Sequence, residues 1–459
     1  MKKSILTITA AALVMGFASC SKEIQQDGPN GPVVAEGKAT TMQVAITFPT
    51  DSKTKNNTTY DNNATPNEAK VNTVDVFIYT GSGAFSSHTR LLPNDFEDVA
   101  QASDSDKYVG KTEIATTTGT KIVFVGINLP QKVVDACKSQ PGSAIASTVH
   151  TLTHEEMLGA GHTSFIMFSK TGVQQVFVEK SPTTSNLVTV ECERMVAKVT
   201  IETADDVDVS ALPGTLSDLK FTINNFNLKF FLLQGAAPLY KDPNWAQGYY
   251  TASDFEQRSS HNHWYDVLDR KVFGKPDITD YQALYPPENT SEAKRKKEIT
   301  RAVVRGAFIP DVITKQGATA TEFVLDDNHG ITTPQTFYAI TISALEGTFF
   351  FDNATTAFNF ANANRDKDNN LPQTFMYEDG LCYWHVYLNK NPQNLVNRWD
   401  ILRNDFYRCV ITKISNIGRP TPDLDPKEEN ETPDVDTVIT VDIKVMFWHT
   451  PITSNYILE

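Results

Sequence analysis

Residues 40–48 read TTMQVAITF, with Met42, Val44, Ile46 and Phe48 at one parity and Gln43, Ala45 and Thr47 at the other, the period of a β-strand with one apolar face. The following stretch, PTDSKTKNNTTYDNNATPNE, is too poor in apolar side chains to order itself. A strand followed by a long exposed loop is therefore predicted, and such a loop is a natural protease site. Further β-rich runs come at 71–79 (VNTVDVFIY) and 121–129 (KIVFVGINL). A short helix is predicted from Pro130, and another at 153–158, where Thr153 and Glu156 have capping-box spacing. FIMFS, VQQVFVE, NLVTVE and MVAKVTIE then follow at strand-like intervals. So many short strands predict a mainly β chain of antiparallel sandwich or barrel type, with short helices in the connections.

Beyond about residue 200 the pattern recurs with longer insertions. Residues 219–234 (LKFTINNFNLKFFLLQ) give two adjoining β-rich runs, and VVRGAFIPDVIT, EFVLDD, QTFYAITISAL, YWHVYLN and YRCVITKISNI supply more. After the charged, proline-bearing stretch 418–436 comes a last strand, in which Ile439, Val441, Ile443, Val445 and Phe447 share one face. The extended tail PITSNYILE follows. Two domains are expected, 38–200 and 201–459.

The first residues follow a different logic. Lys2 and Lys3 precede an apolar run from Ile5 to Phe17, the order of charge and hydrophobicity found in a signal peptide. The run is shorter than the roughly 20 residues that span a bilayer. It ends in Phe17-Ala18-Ser19-Cys20, which resembles a bacterial lipobox. On that reading residues 1–19 are removed, and acyl chains on Cys20 hold the protein at the membrane at about 0.8 kcal/mol per buried CH₂. Residues 20–37, with Gly28, Pro29, Gly31 and Pro32, form a flexible tether. Ser21 and Lys22 place no aspartate after the cysteine, which favours the outer membrane of a two-membrane bacterium by the same resemblance.

Composition narrows the partners. A formal charge of −14 argues against a nucleic-acid surface. The basic run Lys294, Arg295, Lys296 and Lys297 is flanked by Glu292 and Glu298 and reads as a solvated loop. Besides Cys20 there are Cys137, Cys192, Cys382 and Cys409, too sparse for a disulfide scaffold; Cys382 and Cys409 sit in strand-like runs and either face each other or stay as buried thiols. No GxSxG, HExxH, P-loop or GxGxxG occurs. His154-Glu155-Glu156 lacks a second histidine one turn on, and His261 and His263 lack a third ligand. Asp366, Asp368, Asn369 and Asn370 lack the glycine and distal glutamate of a calcium loop and read as a turn. These patterns predict no cofactor, no metal and no catalytic residue.

The order of several segments resembles the fimbrillin family, the subunits of major and short fimbriae in Porphyromonas and Bacteroides. They are the lipobox with Cys20, VAEGKATTMQVAITF, VNTVDVFIYTG, KIVFVGINLP, CERMVAKVTI, LRNDFYRCVITKISNIGRP with Arg403, Asn404 and Tyr407, and the tryptophan of VMFWH. The resemblance implies two transthyretin-like β-sandwich domains and export as a lipidated precursor. It also implies polymerisation in which a protease removes the first strand and a neighbour's carboxy-terminal strand fills the vacated groove. Residues 39–48 would be the removable strand, with Met42, Val44, Ile46 and Phe48 lining the groove, and Ile452, Tyr456 and Leu458 would anchor the incoming strand. In the family the cut follows an arginine just after the first strand. Here that loop offers Lys53 and Lys55, and the first arginine is Arg90, so the protease differs or the chain is an uncleaved anchor or accessory subunit. Expected partners are other copies, accessory or anchor subunits, the processing protease, the outer membrane and a host or bacterial receptor. A second reading is a monomeric surface lipoprotein that binds glycan or host protein through Trp245, Tyr249, Tyr250, Trp264 and Tyr265, which otherwise serve as core residues of the insertion.

Overall fold

Residues Val74 to Tyr79, the heart of VDVFIYT, are all buried. A strand achieves this only inside a sheet covered on both faces. The computed structural model describes residues 36–48, 64–96, 107–181, 185–236, 240–245, 254–261, 263–269, 282–345, 347–388, 398–433 and 439–448. Up to Arg194 its strands are β1 (Ala39–Thr47), β2 (Val74–Thr80), β3 (Phe85–Leu91), β4 (Lys107–Val109), β5 (Ile114–Thr117), β6 (Gly119–Ile127), β7 (Val149–Thr151), β8 (Met167–Ser169), β9 (Val173–Phe177) and β10 (Leu187–Arg194). All but β7 join a nine-stranded sheet of order β3-β2-β6-β8-β10-β1-β4, with β5 also on β1 and β9 on β6.

Three short helices fill the connections of this half: α1 (Pro66–Ala69), α2 (Gln131–Ser139) and α3 (His154–Leu158). Helix α2 starts after Pro130 and buries Val133, Val134 and Cys137, whose carbonyl accepts the Tyr79 hydroxyl at 2.6 Å. Helix α3 carries the expected capping box between Thr153 and Glu156.

The chain is mainly β, but its sheets are mixed and not wholly antiparallel. β1 runs parallel to β10, from Gln43 opposite Leu187 to Thr47 opposite Glu191. A parallel pair needs a long crossover, here the whole chain from β2 to β9, and short-range sequence pattern cannot announce such a partner. From Lys198 the long strands of the body are β11 (Lys198–Asp208), β12 (Gly214–Asn224), β13 (Arg301–Pro310), β14 (Leu381–Tyr387), β15 (Asp405–Ile414) and β16 (Ile439–Phe447), with shorter strands between them. β11 runs parallel to β15, and β15 antiparallel to β16; β12, β13 and β14 form an antiparallel sheet. Pairing within the two large groups of strands changes between Arg194 and Lys198, although Lys229–Phe231 pairs back onto β7. One continuous apolar core draws on both halves.

Between β13 and β14 lies an insertion with a hairpin, a three-stranded sheet and α4 (Ala354–Ala363), packed on Ile340, Phe351, Ala357, Phe360 and Ala361. The sequence reading did not anticipate α4. Its N-cap is Asn353, and its buried residues are Thr356, Ala357, Phe360 and Ala361, in which Phe360 is the one large apolar side chain, a weak periodic signal.

Candidate functional site

β1 is an interior strand. One edge pairs with β10 and the other with β5 and then β4, so its backbone is held from both sides. Met42, Val44, Ile46 and Phe48 are each 5% exposed or less, and Ala45 on the other face is also buried. Burying each of the four large side chains contributes about 1.5–3 kcal/mol. Phe48 meets the Tyr108 ring edge-on at 5.9 Å. The Gly110 N–H donates to the Val44 carbonyl at 2.8 Å. A Cβ on Gly110 would lie 3.0 Å from that same oxygen, so glycine permits the close approach.

The start of β1 is tied down by Asn186. Its backbone carbonyl accepts from the Gln43 N–H at 3.0 Å, its Nδ2 donates to the carbonyls of Thr41 and Val178, both at 2.9 Å, and its Oδ1 accepts from the Val178 N–H at 3.0 Å. Removing β1 would unpair backbone groups along β10 on one side and β4 and β5 on the other, and uncover the core against which Met42, Val44, Ile46 and Phe48 pack. Strand addition in general uses an open edge or slot of this kind: the backbone supplies general affinity, and alternate side chains fix the register.

Several residues singled out from the sequence lie outside the described residues: Cys20, Lys53, Lys55, Tyr249, Tyr250, Ile452, Tyr456 and Leu458. Arg90 sits in β3 and hydrogen-bonds both carboxylate oxygens of buried Asp75, at 2.8 and 3.1 Å. Cleavage there would require that strand to open. The basic run is absorbed by nearby acids, with Lys294 on Asp400, Arg295 on Glu298, and Lys296 on Glu428 and Glu431. Trp245 is buried, whereas Trp264 and Tyr265 are half-buried, with Arg305 lying 4.6 Å from the Trp264 ring. Cys137, Cys192, Cys382 and Cys409 are buried thiols.

The Asp366 carboxylate accepts the N–H groups of Asp368 and Asn370 and the Asn370 side-chain amide, which makes a closed turn. His154 packs against His162 and Phe226. Burial holds its imidazole well below the usual range and therefore neutral. Among the described residues, no group of three or more His, Cys, Asp or Glu side chains is placed to hold a metal.

The segment around Arg403 is a buried joint. Arg403 pairs with Glu288 at 2.9 Å and donates to the carbonyls of Leu232 and Phe231 at 2.9 and 2.8 Å. Asn404 has φ +61°, a conformation that asparagine tolerates better than most residues. Its N–H donates to the Val196 carbonyl, and its own carbonyl accepts the Trp448 N–H. Sequence reasoning missed Glu68 altogether. Its signal was the Thr65-x-x-Glu68 spacing of a capping box, hidden at the end of the polar loop.

Comparison with known proteins gives the following. Residues 40–216 match the family described as Major fimbrial subunit protein (FimA). Residues 375–452 match the family described as Major fimbrial subunit protein type IV, Fimbrillin, C-terminal. The Minor fimbrium subunit Mfa1 of Porphyromonas gingivalis is 22% identical over 472 residues, covering 91% of this chain and 87% of that protein. Among solved structures, a fimbrilin (fimA) from Porphyromonas gingivalis W83 is 14% identical with a TM-score of 0.47, over 90% of this chain and 98% of that one. The tip fimbrial protein Mfa3 from Porphyromonas gingivalis is 12% identical with a TM-score of 0.37, over 89% and 100% of the two chains.

Proposed function

We propose that the chain is a fimbrillin-type structural subunit of a cell-surface fimbrium and that it polymerises by protease-triggered strand exchange; the matches of residues 40–216 and 375–452 to fimbrial-subunit families support this reading. The observation that carries this reading is the placement of β1. It is an interior strand with a fully buried apolar face, and it leads directly into the polar stretch that holds Lys53 and Lys55. A cut in that stretch would free β1 from the rest of the chain, and its loss would open the slot. A carboxy-terminal segment of a neighbour, with Ile452, Tyr456 and Leu458 as anchors, would then enter. Because donor and acceptor surfaces differ, each added subunit presents a new slot or a new tail, and the product is a filament in place of a closed ring.

In the precursor β1 covers its own slot and so suppresses premature assembly. Residues 1–19 serve as export signal, lipid on Cys20 holds the precursor at the outer membrane, and the two domains divide between Arg194 and Lys198, because a boundary at 200 would cut β11. In this role the chain is adhesive and structural and uses no cofactor or catalytic residue. Deleting residues 450–459 should abolish polymerisation of the cut protein while leaving the monomer folded. Filaments growing from the truncated chain alone would refute a terminal donor segment.

A further inference from the structure

The two places where strand exchange would reorganise the chain converge on one buried cluster. Helix α1, the first described element after the polar loop, presents Glu68, which is 1% exposed. Trp448, directly after β16 and 0% exposed, is the last described residue before the carboxy-terminal tail. Glu68 accepts hydrogen bonds from Lys198 Nζ at 3.0 Å, from the Tyr285 hydroxyl at 2.6 Å and from the Thr65 N–H at 2.6 Å. Its backbone carbonyl accepts from Arg194 Nε at 3.1 Å, while Arg194 Nη1 donates to the Trp448 carbonyl at 3.3 Å. The Arg194 guanidinium lies 4.1 Å from the centre of the Trp448 ring, Tyr285 stacks on that ring at 5.7 Å, and Phe165 meets it edge-on at 5.8 Å. Burial pushes the Glu68 carboxyl up, but Lys198 and the hydrogen bonds from Lys198, Tyr285 and Thr65 outweigh it and hold the group ionised.

We propose that Glu68, Arg194, Lys198 and Tyr285 form a latch on Trp448, which fixes the exit point of the donor tail to the chain segment that remains after β1 is removed. These are positioning residues, and the inference rests on the strand-exchange reading above. Without the latch, the end of β16 would fray from β15, and the tail would reach a neighbour from a variable root at a higher entropic cost. With it, cutting the polar loop changes the slot but leaves the tail's root where it was. The slot at β1 and the latch at Trp448 thus answer to different side chains, and donation separates from acceptance.

The test uses that separation. The uncut precursor serves as a donor whose own slot is filled, and the cut chain lacking 450–459 serves as an acceptor that cannot donate. Trp448→Leu placed in the donor should slow formation of the mixed dimer, followed by size-exclusion chromatography, at least tenfold. The same substitution in the acceptor should change it less than twofold. Equal slowing in both roles, as general destabilisation would give, or no slowing in the donor, overturns the proposal. Glu68→Gln keeps the side chain's shape and provides an independent readout in the uncut chain. Its Trp448 amide should exchange hydrogen at least tenfold faster, with the β2 amides unchanged, and unaltered exchange at Trp448 also overturns the latch. If the unsubstituted donor and acceptor form no dimer, strand exchange itself fails, and hydrogen exchange alone then decides whether the latch exists.

Discussion

Single side chains in this molecule are governed by what burial does to charge. Asp75 stands in the middle of an apolar run, and nothing in VNTVDVFIY shows why a carboxylate belongs there. Its partners Arg90 and His88 lie one strand away on β3, so the pairing becomes visible only with the sheet. Glu193 has less compensation, because Oε1 has no hydrogen-bond partner among the described residues. Burial, opposed by Arg403 and reinforced by Glu288, pushes its carboxyl up from 4.5 to about 7. Between those values the folded chain holds a proton that the unfolded chain has released, so Glu193 makes stability fall as pH rises. Glu193→Gln should remove that part of the slope and raise stability at pH 8 by on the order of 1–3 kcal/mol. Urea midpoints at pH 5 and pH 8 measure this; an unchanged difference between them would contradict the assignment. Asp405, pushed to about 7, and Asp242, pushed to about 8, leave a residual slope of the same sign.

Elements with strong local periodicity were legible, and those defined by distant partners were not. Residues 40–48 carry their strand in their own alternation, and Thr153 and Glu156 mark α3 by capping chemistry alone. That β1 would lie parallel to β10, or β11 parallel to β15, depends on segments far away in the chain. The strand β1 and its apolar face were therefore readable from sequence, whereas its seat between β10 and the pair β4 and β5 was not. That seat makes a quantitative prediction. Ile46→Ala should cost the uncut chain about 2–5 kcal/mol by loss of buried contacts and the cavity left behind. A loss well under 1 kcal/mol in urea unfolding would mean that β1 does not seal the slot.

In the whole molecule, the proposed role needs three parts together: lipid at Cys20, a first strand that can be removed, and a carboxy-terminal tail. Cys20→Ser should abolish acylation, measured as loss of the lipid mass and loss of the chain from the washed membrane fraction; retention of both would contradict lipid attachment at Cys20. The lipid site and the tail were proposed from sequence alone, while the joint at Arg403, Asn404 and Trp448 became intelligible only when Val196, Leu232 and Glu288 were seen around it. Strand exchange is decided by sizing the purified precursor before and after a cut at Lys53 or Lys55, while following residues 39–48 by mass spectrometry. Monomer should give way to polymer as that segment leaves. A cut chain that loses the segment and stays monomeric would contradict the account.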